Sequence, residues 1–150
     1  MEPVTRAFSE QFSALSGIWR SLAQRIKFCE SGYPDQGDKA NNPAEILVRS
    51  AAKVEQTFGG INAQMWDDPF EWTLPEALGS KDKLFEYLDE VDDAREQGFA
   101  RLVADSDLSK VIWTPAGNRT IAALLLETLS SASRMSGLAE AGLRRDTDKT

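Results

Sequence analysis

Histidine is absent from this 150-residue chain, and cysteine occurs once, as Cys29. The first absence removes the commonest imidazole metal ligand and the usual general base near neutral pH, so mechanisms that need either are excluded. The second rules out an intrachain disulfide framework and suits a reducing cytoplasm. Long apolar runs are missing too: the longest, Ile121 to Leu126, falls far short of the ~20 residues a membrane-spanning helix needs. Met1-Glu2-Pro3 lacks the basic and apolar regions of a signal peptide. Clustered positive charge is also lacking, because Arg144-Arg145 is followed at once by Asp146 and Asp148. With a formal net charge of -7, the chain repels nucleic acid and anionic lipid. The expectation is a cytoplasmic protein with neither a nucleic-acid nor a membrane partner.

What is present is an ordinary globular composition, 41% hydrophobic and 27% charged, in a length that suits one domain over 1–150. Apolar residues recur at three- and four-residue steps in four segments. The first runs from about Val4 to Phe28, with Phe8, Phe12, Leu15, Trp19, Leu22 and Ile26 on one face. Gly17 interrupts it at a cost of ~1 kcal/mol and marks an expected close contact. A polar loop, Cys29 to Asn42, follows. Asn42-Pro43 then starts a second helix that continues through Leu47, Val54 and Phe58 to near Met65. Trp66 to Ser80 reads as an apolar connection long enough to cross the length of a helix and pack on it. Ser80 and Asp82 offer caps for a third helix, Lys81 to Ala104. A loop, Asp105 to Asn118, leads into the last helix, Arg119 to Arg145, and only Val111 to Trp113 hints at a strand. The fold class is all-α, and four amphipathic helices of similar length with one long middle connection make a four-helix bundle with a crossover.

Three stretches carry a resemblance: Asp68-Pro-Phe-Glu-Trp-Thr-Leu-Pro-Glu76, Tyr87-Leu-Asp-Glu-Val91, and Trp113-Thr-Pro-Ala-Gly117 feeding a Leu-rich last helix. Together they resemble the DinB-like (YfiT-like) superfamily from the first helix through Gly137. The resemblance implies a four-helix bundle with a crossover between the second and third helices, often a homodimer. It also implies three histidines holding a divalent metal, one on the second helix and two on the last in a His-x-x-x-His-x-Gly-Gln pattern. With Gly137 as anchor, those two positions are Ser131 and Met135, the glutamine position is Leu138, and the second-helix position is Arg49. A fixed cation, a thioether and a neutral hydroxyl do not form a ligand set for a hard divalent ion. No metal and no cofactor are therefore expected.

The resulting reading is a metal-free DinB-like protein that binds or converts a small organic molecule in the cavity that holds the metal in relatives. Arg49, Glu127 and Ser131 are its catalytic candidates: Arg49 for an anionic group or developing negative charge, Ser131 as hydrogen-bond partner, Glu127 as general base. Trp19, Arg49, Arg95, Ser131, Met135 and Leu138 are the expected cavity lining. The bland alternatives are an ion pair of Arg49 with Glu127, Asp89 or Glu55, and a helix-surface pair of Arg95 with Asp92. Trp66, Trp72 and Trp113 read mainly as packing residues of the core and the connections. Two other functions are open: a divergent mycothiol- or bacillithiol-type S-transferase, and a non-catalytic structural or regulatory dimer.

Overall fold

Proline at the first helical position opens both α1 (Pro3–Arg25) and α2 (Pro43–Ala63), where its missing N–H leaves no hydrogen bond unmade. The computed structural model describes residues 1–29 and 42–148, apart from the side chains of Glu71, Trp72 and 146–148. The connecting loop expected over Cys29 to Asn42 therefore lies mostly outside the described residues, as does the side chain of Trp72. Asn42 caps α2 by accepting the Ala44 N–H at 2.9 Å, and Ser80 caps α4 (Lys81–Arg101) by accepting that of Lys83 at 3.1 Å. The chain ends in the longest helix, α5 (Ile121–Asp148).

Hydrogen bonds between helices give their directions. Ser13, Ser16 and Arg20 of α1 meet Arg95, Asp92 and Asp89 of α4 in reverse order, so this pair is antiparallel. Ser50 and Thr57 of α2 meet Ala132 and Thr128 of α5, again in reverse. Glu55 and Asn62 of α2 meet Tyr87 and Ala94 of α4 in the same order, so α2 and α4 run parallel. Two parallel helices joined in sequence require the chain between them to travel back the full length of one. It does so along α2: the Trp66 carbonyl accepts from Gln56, and further on the Phe70 ring lies beneath Arg49.

All four long helices share one core. Within it Phe12, Phe58 and Phe99 meet with ring centroids 5.4–5.7 Å apart, Phe12 edge-on to Phe58. Leu15, Trp19, Leu47, Val54, Leu84, Leu88, Val91 and Leu125 complete it, each 2% exposed or less.

Three expectations from the pattern are corrected. The connection after α2 contains a helix, α3 (Phe70–Ala77), opened by the Asp68 side chain accepting the Phe70 N–H and ending soon after Pro75. The segment before α5 is ordered as a 3₁₀ turn (Asp105–Ser109) and an antiparallel hairpin of β1 (Val111–Thr114) and β2 (Gly117–Thr120). Gly117 sits at φ 113°, a backbone conformation only glycine adopts freely, which lets the Thr-Pro-Ala-Gly turn close. Gly17 marks no close contact, since a Cβ there would meet nothing within 4 Å.

Candidate functional site

On the α2–α5 face, where the resemblance would put metal ligands, the inward side chains are buried and hydrogen-bonded. The indole N–H of Trp19 donates to Ser50 Oγ at 2.9 Å, and Ser50 donates to the Ala132 carbonyl at 2.6 Å. One helical stretch away, the Thr57 and Thr128 hydroxyls share a 2.6 Å hydrogen bond. Ser50, Ala132 and Thr128 are all 0% exposed, so small hydroxyl and methyl side chains, bonded to one another or to backbone, line the buried contact of α2 with α5. The residues that meet inside are the immediate neighbours of the expected pair: Ser50 rather than Arg49, and Ala132 rather than Ser131.

The expected site residues are therefore dispersed. Arg49 is exposed, with its guanidinium carbon 3.9 Å from the Phe70 ring centroid. Each carboxylate proposed as its partner is engaged elsewhere: Glu127 with Arg119, Asp89 with Arg20, and Glu55 with Tyr87. Ser131 and Met135 are half-buried, Leu138 is 54% exposed, and Trp19 at 1% is a core residue whose one donor is already used. Arg95 does pair with Asp92, at 3.2 Å, but inside the protein and not on its surface, with 7% of the residue exposed.

That buried pair belongs to a network joining α1 and α4. Asp92 accepts from Ser16 at 2.9 Å and from Arg20 at 2.6 Å, besides Arg95, while Arg95 also donates to Ser13. Burial works to raise the Asp92 pKa, and the hydrogen bonds from Arg20 and Ser16 with the Arg95 charge overcome it, leaving the carboxyl below its usual range. Each charge of this network faces an opposite one, as a structural clasp requires, although the buried Arg95 Nε makes no hydrogen bond.

A different place stays open. Between α2, α3 and α4 lies a cleft of about 240 Å³, walled by Glu55 of α2, Thr73 and Glu76 of α3, and Tyr87 and Glu90 of α4. Tyr87 is 4% exposed and donates its phenol to Glu55 Oε2 at 2.7 Å. Burial, chiefly, raises the Glu55 pKa; the Tyr87 hydrogen bond opposes the rise and the nearby Glu90 adds to it. Burial and the Glu55 charge push the Tyr87 phenol pKa up as well, so it stays protonated and acts as a donor. Lys83, at the cleft edge, lies 3.5 Å from Glu86. The pair offers a positioned carboxylate able to accept a proton and a neutral hydroxyl that holds it in place.

Sequence reasoning missed this site. In the sequence, Tyr87 stands out only within a family-like stretch, and Glu55 only as a possible partner of Arg49. The available signal was the shared face: Tyr87, Glu90 and Glu86 lie one turn or less apart on α4. Among the described residues, no group of three aspartate, glutamate or cysteine side chains is placed to hold a metal ion, and no helix is long and apolar enough to cross a membrane. No family model, curated protein or solved structure matches the chain.

Proposed function

We propose that this chain is a metal-free, DinB-like four-helix bundle that binds, and in one version converts, a small organic molecule. The helix order supports the family part of the reading, because a parallel α2 and α4 joined by a long crossover is the topology the resemblance implies. The Glu55–Tyr87 pair in the α2–α3–α4 cleft carries the functional part: it is a half-buried carboxylate and a buried phenol at an opening of molecular size. The binding place thus moves from the α2–α5 seam, where relatives hold metal, to the next groove around the bundle. Arg49, Glu127 and Ser131 drop out of the proposed chemistry, and Glu55 takes over the role of base.

The test is a small-molecule screen by protein-observed NMR on the full chain, repeated with Tyr87→Phe. Ligands that shift resonances around Glu55 and Tyr87, and that bind more weakly to the variant, are the expected result. A screen in which nothing perturbs that cleft overturns the reading, and so does a stoichiometric transition metal in the purified protein. A second reading, a non-catalytic structural or regulatory dimer, draws on the buried seam together with the hairpin's Val111 and Trp113, which are 63% and 58% exposed. Light scattering separates the two, since a dimer that loses mass on Trp113→Ser but shows no small-molecule binding favours the second.

A further inference from the structure

We propose that the ligand of the α2–α3–α4 cleft is a small organic cation, an alkylammonium or short diamine, anchored on Glu55. This rests on the cleft being a small-molecule site and adds the chemical class that fits it.

The case starts from the contrast between two half-buried carboxylates. Asp92 has two arginines; Glu55, among the described contacts, has only the neutral Tyr87 phenol. A carboxylate withdrawn from water without a cation is costly, as its upward-shifted pKa reflects. One phenol also leaves most of its acceptor positions open to solvent or a ligand. The surroundings deepen the deficit: among the described residues, Glu76, Glu86 and Glu90 share the cleft with one cation, Lys83, which already lies near Glu86. An anionic ligand would meet net negative walls on all three helices.

Geometry narrows the kind of cation. A bare divalent ion needs several oxygens converging within about 2.5 Å of one point. No three carboxylates among the described residues converge in that way. Carboxylates spread along a cleft suit a cation whose charge lies on a chain, with Thr73 and Ala77 flanking the carbon stem. The volume, near 240 Å³, is below the range of about 300–1,000 Å³ typical for drug-sized ligands, so the molecule is compact.

The experiment titrates propylammonium and putrescine into the full chain, with 1,4-butanediol and succinate as neutral and anionic controls, read by NMR shifts and calorimetry. Saturable binding of the amines at Glu55 and Tyr87, with both controls silent, is expected. Glu55→Gln keeps an acceptor for the Tyr87 phenol, and its fold is checked by circular dichroism; it should weaken amine binding about tenfold or more. Asp93→Asn removes one exposed α4 charge away from the cleft and should leave that binding unchanged. Equal affinity in the folded Glu55→Gln variant, or an equal loss in Asp93→Asn, overturns the proposal. Neutral or anionic molecules that bind the cleft while amines do not would overturn the cation assignment and leave the small-molecule reading standing. No binding by any probe or screened compound defeats both.

Discussion

Thr57 on α2 and Thr128 on α5 share a 2.6 Å hydrogen bond between hydroxyls that are 2% and 0% exposed as residues. Each hydroxyl is the other's partner in a seam that water does not reach. Replacing either threonine by valine keeps its shape and leaves one buried hydroxyl unmatched, at an expected cost of ~1–3 kcal/mol. Replacing both removes the mismatch. The double variant should therefore be less destabilised than the sum of the singles by ~0.5–1.5 kcal/mol, as measured in a urea double-mutant cycle. Strict additivity would show that the two hydroxyls are not coupled.

The Asp92–Arg95 pair behaves differently because a full charge is buried. Asp92→Ala strips Arg95 of its principal anion while its side chain remains only 9% exposed. A loss of ~3–5 kcal/mol is expected, against less than ~1 kcal/mol for an exposed ion pair such as Arg144 with Glu140. Chemical denaturation of Asp92→Ala and Glu140→Ala compares them directly. Similar small losses in both would mean that Arg95 finds water or another acceptor.

Asp105 closes the chain on itself by capping α1 from a hundred residues away. Its carboxylate accepts the Thr5 N–H at 2.8 Å and the Thr5 hydroxyl at 3.0 Å, with Val4 N–H at 3.3 Å. The Thr5 backbone bond, above all, holds its pKa below the usual range. The folded state thus binds a proton less readily than the unfolded chain. The stabilisation is complete above the unfolded carboxyl pKa of ~3.9 and fades as pH falls through the lower folded value. Thermal melts from pH 6 to pH 2.5 should converge for wild type and Asp105→Asn at the acid end. A gap that stays constant across that range would exclude Asp105 as the titrating cap.

How much of this was legible in the sequence follows the kind of signal involved. Asn42-Pro43 and Ser80 announce helix starts through local chemistry, and they cap α2 and α4 as read. Periodicity identified the faces of the long helices, since Phe12, Leu15, Trp19 and Leu22 all lie in the core. It could not fix rotation to within one residue. The motif match anchored on Gly137 puts Arg49 and Ser131 inside, one residue away from Ser50 and Ala132, which actually pack there. Short elements carry too few residues for a period, so α3 and β2 read as loop, while Val111 to Trp113 hints at β1 through its β-branched and aromatic residues alone. Of the cleft, only the shared α4 face of Tyr87, Glu86 and Glu90 is legible, because Glu55 and Tyr87 lie on different helices, 32 residues apart, and the parallel α2–α4 pairing brings them together.

Glu55 should trade stability for its role. Its folded pKa is raised, chiefly by burial, so the ionised carboxylate destabilises the free protein, and this penalty grows as pH rises through the folded value. Glu55→Gln removes the titration and keeps the acceptor for Tyr87. The variant should match wild type at pH 4 and melt higher at pH 8. A lower melting temperature at pH 8 would show that the ionised form is stabilised in the native protein, contrary to the burial argument.

Glycines provide the last contrast, because identical substitutions should have opposite signs. At Gly98 a Cβ would lie 2.4 Å from Phe58 Cδ1, against the buried aromatic cluster, where neither ring nor helix can yield cheaply. Gly98→Ala is expected to cost ~1–3 kcal/mol through overpacking. At Gly17 of α1 and Gly137 of α5, both helical, an added Cβ meets nothing within 4 Å. There alanine removes the helix penalty of glycine, and each variant should gain ~0.5–1 kcal/mol in urea denaturation. Loss of stability at Gly17 or Gly137 would show that these positions are covered in solution, and a second copy of the chain on the α1 or α5 face would then have to be sought by light scattering.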